Sequence, residues 1–258
     1  DMKTLAMDNA GYLWIGTWSE GLLRYDVRGK RVVRFKSMPE LKSPHTLFFD
    51  KDRNLWVGTW GSGLLRLDNL YSSTGPNITV YRKGKSDTSL LDDIIYCINQ
   101  NPSTGDLWIG SRSGLSILHS KDLLNPDAKF ENYSPGQSGH DLPFNEINSI
   151  IPTSDHYMWL SSGGGGVFYT DTRSREIEGN GLNSIRKEYG TSSVRALSHS
   201  SDGILRLSIA GYGLFEYDLE KDRYTKFQTK YIQDFIEVGE GQVLAGSETG
   251  ILVCSKGQ

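Results

Sequence analysis

LWIGTWSEGLLRYD, residues 13–26, is written again as LWVGTWGSGLLRLD, residues 55–68, with ten of fourteen positions identical. Trp14 and Trp56 lie 42 residues apart, and self-similarity at a fixed period of a few tens of residues marks repeat architectures. Four more copies follow: GDLWIGSRSGLSILH at 105–119, HYMWLSSGGGGVFYTD at 156–171, GILRLSIAGYGLFEYD at 203–218 and GQVLAGSETGILVC at 241–254. The tryptophan position is filled by Trp14, Trp56, Trp108, Trp159, Arg206 and Leu244, at spacings of 42, 52, 51, 47 and 38.

Within a copy every segment reads as strand. A short apolar run (TLAMD, TLFFD, IYCINQ) precedes a turn rich in Asp, Asn and Gly, as a tight hairpin demands. The tryptophan run is next, then a glycine-containing turn, a third run such as GLLRYD, a polar turn, and a fourth such as KRVVRF. No segment carries a ten-residue stripe at helical period. The expected fold is all-β, a β-propeller of six four-stranded repeats at about 1–36, 43–83, 91–133, 143–180, 191–228 and 231–258. The sixth repeat lacks its fourth run, so its blade is incomplete; the alternative is an arc of a seven-bladed ring. An open edge strand would then favour pairing between two copies, a homodimer.

The physics of stacking fits this reading. A lone four-stranded sheet would leave both faces wet, whereas blades stacked radially bury them against one another. LWIG is apolar on both alternating faces, as a strand covered on both sides requires. Trp14, Trp56, Trp108 and Trp159 are therefore expected to pack between blades, each burying a large area. The turn glycines Gly21, Gly63, Gly114, Gly166, Gly213 and Gly250 suit a left-handed backbone position. Composition agrees with a globular protein of many turns: 37% hydrophobic, 23% charged, 29 Gly and 8 Pro. A net charge of −3 without a basic cluster argues against nucleic acid as a partner. Cys97 and Cys254 both lie in apolar runs and are read as buried free thiols.

Several stretches imitate chemistry. SSGGGGVF at 161–168 looks like a phosphate loop, but it falls at a hairpin turn with no helix start behind it. DKDRN at 50–54 looks like an acidic metal loop, yet it is the hairpin turn of copy two and lacks a distal Glu. The five histidines show no ligand spacing, so no metal and no cofactor is expected. No serine sits on a strand-to-helix elbow. Asp92 with Asp93, and Asp234 with Glu237, are the carboxylates available for sugar cleavage; solvated strand ends are the plainer reading.

Equivalent positions carry a sharper signal. Five residues before each first turn stand Lys3, His45, Tyr96, Asn148, Arg195 and Gln233. All can hydrogen-bond, whereas two residues later every copy is apolar. If the first run is the innermost strand, these side chains form a polar collar where those strands enter the ring. Either the strand starts are simply wet, or the collar lines a ligand mouth. The second turns carry Trp18, Trp60, Arg112 and Tyr212 and fall at the same end of the ring. Trp18 and Trp60 either cap a neighbouring blade or stack on sugar rings, and Arg112 would offer forked donors to an acidic group. The candidate ligand-binding residues are thus Trp18, Trp60, Arg112, Tyr212, His45, Tyr96, Asn148 and Arg195.

The recurring LWIGT…GL…YD…F phrase, with SLLDDIIYCINQNPSTGDLWIGSRSGL at 89–115, resembles the two-component regulator propeller repeat. That resemblance implies a non-catalytic periplasmic sensor domain of an inner-membrane hybrid histidine kinase. It also implies an oligosaccharide ligand and, as partners, downstream sensor and kinase domains of the same chain. The alternatives are a propeller lyase or glycosidase, and a protein-interaction scaffold.

Overall fold

In a computed structural model, the described residues are 2–255 apart from 36–37, 74, 138–141, 154–155, 174–176, 180–181, 191–192, 201–202, 228–230, 240–241 and 248–249. They divide into two compact units, residues 1–140 and 141–258. The fold is all-β and of the β-propeller type, with three antiparallel sheets in each unit.

In the first unit, blade one comprises β1 (Met2–Met7), β2 (Tyr12–Thr17), β3 (Leu22–Asp26) and β4 (Arg31–Arg34). Blade two comprises β5 (Pro44–Phe49), β6 (Leu55–Thr59), β7 (Leu64–Asp68) and β8 (Asn77–Tyr81). Blade three comprises β9 (Ile95–Gln100), β10 (Leu107–Ser111), β11 (Gly114–Leu118) and β12 (Phe130–Tyr133). In the second unit, blade four comprises β13 (Ile147–Pro152), β14 (Tyr157–Ser162), β15 (Val167–Asp171) and β16 (Ile177–Gly179). A short helix, α1 (Asn183–Tyr189), leads to blade five: β17 (Val194–His199), β18 (Ile204–Ile209), β19 (Gly213–Asp218) and β20 (Arg223–Lys226). Blade six comprises β21 (Ile232–Gly239), β22 (Gln242–Ser247) and β23 (Gly250–Ser255). Strands pair in chain order within each sheet. Helix α1 was not legible in the sequence, because seven residues are too few to display a helical stripe.

Within each unit the core lies between consecutive blades. Trp14 packs with Leu47, Val57 and Leu65 of blade two, and its ring meets Phe49 edge-on at 6.4 Å. Trp56 belongs to the next cluster, with Ile98 and Ile109 of blade three, and stacks on Tyr81 at 6.0 Å. Trp159 does the same with Leu197, Leu207 and Phe215 of blade five. Trp108 is buried as well. Strands β6 and β10 are buried along their full length, which explains why LWVGT and LWIGS are apolar on both faces.

Close approach of the blades dictates one glycine directly. A Cβ at Gly58 would lie 2.5 Å from Thr46 Cγ2 and 2.6 Å from Ile95 Cγ2, so β9 seats on a bare backbone. The glycine-rich run of copy four is a seat of the same kind. A Cβ at Gly164 would meet the Phe144 ring at 2.7 Å. The run is the β14–β15 turn, and its composition answers to the chain that crosses it. All six turn glycines named above have positive φ. Cys97 and Cys254 form no disulfide, and burial pushes both thiols above their ordinary pKa.

Two devices were not apparent in the sequence. Asp8 Oδ1 accepts from the backbone N–H groups of Ala10 and Tyr12, while Oδ2 accepts from the Trp14 indole at 2.8 Å. Asp50 repeats this with Asp52, Asn54 and the Trp56 indole, again at 2.8 Å. The hairpin turn and the blade-packing tryptophan are thus one hydrogen-bonded unit. The detectable signal was an Asp six residues before Trp in the two best copies. In copy three Asn101 stands seven before, and the buried Trp108 indole N–H has no partner among the described residues. Burial pushes the Asp8 carboxyl up, but bonds from Tyr71, Trp14 and the turn amides outweigh it and hold the pKa low.

Candidate ligand-binding site

In every blade the innermost strand carries a β-bulge at the same place, and β21 has a second irregularity between Glu237 and Gly239. Pairing skips from Met2 to Thr4, Pro44 to Thr46, Ile95 to Cys97, Ile147 to Ser149, Val194 to Ala196 and Ile232 to Asp234. The extra residues are Lys3, His45, Tyr96, Asn148, Arg195 and Gln233: the polar collar positions. A bulge re-aims its side chain and often adjoins a functional site. The strand starts are therefore irregularities repeated in all six blades.

In the first unit three collar residues and two turn tryptophans meet. The Trp18 and Trp60 rings lie 5.6 Å apart, and Trp60 contacts His45 at 5.3 Å and Tyr96 at 5.7 Å. His45 and Tyr96 meet edge-on at 5.8 Å, and the Lys3 ammonium sits 5.2 Å over the Trp18 ring. Backbone bonds set the two tryptophans side by side: Ser43 Oγ donates to the Trp18 carbonyl, and the Trp60 N–H donates to the Ser43 carbonyl. The turns themselves are stiff. Thr17 Oγ1 donates to the Gly21 carbonyl and accepts from the Glu20 N–H, and Thr59 bonds Gly63 and Ser62 in the same way. Trp18 is 41% exposed and Trp60 42%, so neither is a lid sealed over the next blade. They present an aromatic platform to solvent, backed by His45 and Tyr96.

Arg112 joins this surface from blade three. Its N–H donates to the Ile94 carbonyl, and Ile94 forms a backbone bridge with Trp60. Its guanidinium reaches Asp92 at 3.3 Å while its side chain stays 55% exposed. Asp92 is buried. Burial raises its pKa, but Ser113, the Ile94 N–H, Arg112 and Lys83 together hold it below the ordinary carboxylate value. Asp92 is thus an ionised anchor for Arg112. Asp93 accepts from the Lys83 N–H. Asp234 is exposed and accepts from its neighbour's N–H, and Glu237 pairs with Arg206. None of these four carboxylates faces another as an acid–base pair in the contacts described.

In the second unit the predicted residues are spent differently. Asn148 Nδ2 donates to the Val194 carbonyl at 3.0 Å, and Arg195 donates to Gln233 Oε1 at 2.6 Å. These collar residues tie blade to blade. Tyr212 meets Tyr189 of α1 edge-on at 5.0 Å and lies under the Lys226 ammonium at 5.7 Å, so it leans toward the outermost strand of its own blade. Among the described residues, no group of three or more His, Cys, Asp or Glu is arranged to hold a metal ion. No helix among them is long and apolar enough to cross a membrane.

His45 makes the site sensitive to pH. Its Nδ1 is buried with no hydrogen-bond partner among the described residues; burial, and then the Lys3 charge, push its pKa below the ordinary value of 6.5. The unfolded chain therefore binds the proton more readily than the folded one. Stability is complete above about pH 6.5 and declines as pH falls through the depressed folded value. Thermal melts at pH 7.5 and pH 5 should show a smaller loss for His45→Gln than for the parent. Equal losses would mean that His45 is fully solvated.

No known family profile matches the chain, and no curated protein matches it. Solved structures do. The extracellular domain of BT3049 from B. thetaiotaomicron, assigned as a hybrid two-component system, superposes with TM-score 0.77 at 18% identity, over 99% of this chain and 33% of its own. That of BT4673 from the same organism, assigned likewise, gives TM-score 0.77 at 18% identity, over 100% of this chain and 35% of its own. Virginiamycin B lyase from Staphylococcus aureus gives 0.65 at 15% identity, over 100% of this chain and 85% of its own. The chain spans about a third of the length of the first two. At these identities the likeness is one of fold: the chain has the β-propeller architecture of the extracellular domains of these two-component systems.

Proposed function

We propose that this chain is a non-catalytic, extracytoplasmic sensing domain that binds an oligosaccharide on the Trp18–Trp60 platform. The observation that carries the reading is the solvent-facing pair of tryptophans, backed by His45 and Tyr96 on β-bulges. Flat aromatic faces suit the apolar faces of sugar rings, while Lys3, His45 and Arg112 offer donors to hydroxyl groups around them. The fold likeness to extracellular domains of two-component systems supports a sensing role. In this reading the domain lies in the periplasm as part of an inner-membrane protein, and passes occupancy to sensor and histidine kinase domains of the same chain. Self-association of two copies would give that signal a means of crossing.

Calorimetry with an oligosaccharide panel tests it. Trp60→Ala should weaken binding about tenfold or more, as truncation of an interface anchor does, and Trp18→Ala somewhat less. Unchanged affinity in both variants would remove the platform from the site. The fold is shared with a lyase, so the same panel should be checked for cleavage products. Turnover abolished by Asp92→Asn would replace sensing with catalysis.

A further inference from the structure

Beside the platform, and distinct from it, a cavity of about 530 Å³ opens between the β8–β9 connection and blade three. Its wall is the segment 83–91, which leaves β8 and leads to β9; its floor includes Ser113 and Asn132. The segment is tied down. Asn132 Nδ2 donates to the carbonyls of Asp87 and Ser89, both at 2.8 Å, and its Oδ1 accepts from Ser116 Oγ at 2.7 Å. The Phe130 N–H donates to the Thr88 carbonyl, and Lys83 bridges Leu90. A Cβ at Gly84 would crowd the Ser89 side chain. The cavity is thus pre-formed, and its size falls within the usual range for small-molecule sites.

Its chemistry is unlike that of an apolar pocket. Lys83 and Lys85 line the cavity with Ser86, Ser89 and Gln137, and Leu90 and Leu91 complete the wall; Ser113 is already bonded to Asp92, Ser134 to Gln137, and Asn132 to the segment itself. It contains no aromatic side chain. Asp87 adds one carboxylate, able to accept from a pair of neighbouring hydroxyls. Among the described residues Lys85 makes no ion pair, and it is exposed, so its charge is available to a ligand. Two cations against one anion, among hydroxyls and amides, describe a site for a hydrophilic, hydroxyl-rich and acidic molecule. Arg112 precedes Ser113 and bonds to Ile94, which bridges Trp60, so the cavity and the platform are joined by a continuous backbone path.

We infer that this cavity is a second subsite that takes the acidic sugar unit of the ligand, a ring bearing a carboxylate; the inference rests on the oligosaccharide reading above for the sugar. Lys83 and Lys85 hold the carboxylate, Asp87 and the serines hold the ring hydroxyls, and the adjoining neutral rings lie toward Trp60. The site therefore selects acidic over neutral saccharides.

Amide NMR on the full 258-residue chain, titrated separately with D-glucuronate, D-glucose and sodium sulfate, tests this. Glucuronate should shift the amides of Gly84 to Ser89, Ser113 and Gln137, with glucose about tenfold weaker or more. The double variant Lys83→Ala, Lys85→Ala should lose the glucuronate response and keep its spectrum elsewhere. Shifts absent from this segment, or unchanged in the double variant, overturn the inference. Sulfate acting as strongly as glucuronate overturns it too, because the site would then read charge without sugar. Glucuronate shifts confined to Trp18, Trp60, His45 and Tyr96 would overturn this subsite while upholding the platform.

Discussion

Trp56→Ala is expected to lower the free energy of unfolding by about 3–5 kcal/mol, the range for removing a fully buried aromatic side chain. Trp56 is 0% exposed and sits in the cluster between blades two and three, so the cavity would open between sheets that cannot easily close on it. The variant also strips Asp50 of its indole donor. Comparison of Trp56→Phe with Trp108→Phe separates these two contributions. In Trp56 the indole N–H is bonded, and its loss leaves a buried carboxylate oxygen short of one donor, which costs about 1–3 kcal/mol. In Trp108 the indole N–H has no partner among the described residues, so phenylalanine removes an unsatisfied donor and only volume is lost. Urea unfolding of the two variants should place Trp56→Phe well below Trp108→Phe. Equal values would show that the Asp50 bond contributes nothing.

The second large effect is expected at Arg206, which stands where four other copies have tryptophan. It is buried, its Nε donates to Glu216 at 2.8 Å, and it pairs closely with Glu237. Burial favours the neutral form of this guanidinium, but the two carboxylates more than compensate and hold its pKa above the ordinary value. Arg206→Leu would strand the Glu216 carboxylate in an apolar interior, a loss of about 3–5 kcal/mol. The double variant Arg206→Leu, Glu216→Leu should recover most of it, because two well-packed apolar residues can replace a buried pair. Urea unfolding of both variants at pH 7 measures the recovery. Equal losses in the single and the double variant would show that the stranded carboxylate is not what costs stability.

How much of this was legible beforehand divides by physical cause. Trp14, Trp56 and Trp159 could be assigned to blade packing because burial on both faces imposes a residue type at a fixed place in each copy. Trp18 and Trp60 stood out because that place in the other copies is filled differently. The bulges were hidden: an extra residue leaves the alternation of apolar and polar side chains readable on either side of it. Arg206 was seen as a lost tryptophan, when it is a buried charge with two partners. Asn148 and Arg195 share the bulged position with His45 and Tyr96, but whether a polar side chain faces a ligand or a neighbouring blade depends on contacts made through space. Tyr212 shows the same limit, since Tyr189 and Lys226, which draw it outward, lie far from it in chain order.

The bulged positions have a consequence for how such a wall can diversify. The ladder of hydrogen bonds passes over Lys3, His45 and Tyr96, so the identity of those side chains is not tied to strand pairing. Apolar neighbours two places on, such as Leu47 and Ile98, are fixed by the interior they fill. In the proposed site, recognition and architecture thus occupy adjacent but separate residues of one strand. A lineage of such chains can exchange what it grips, residue by residue, while the wall that holds the grip stays the same.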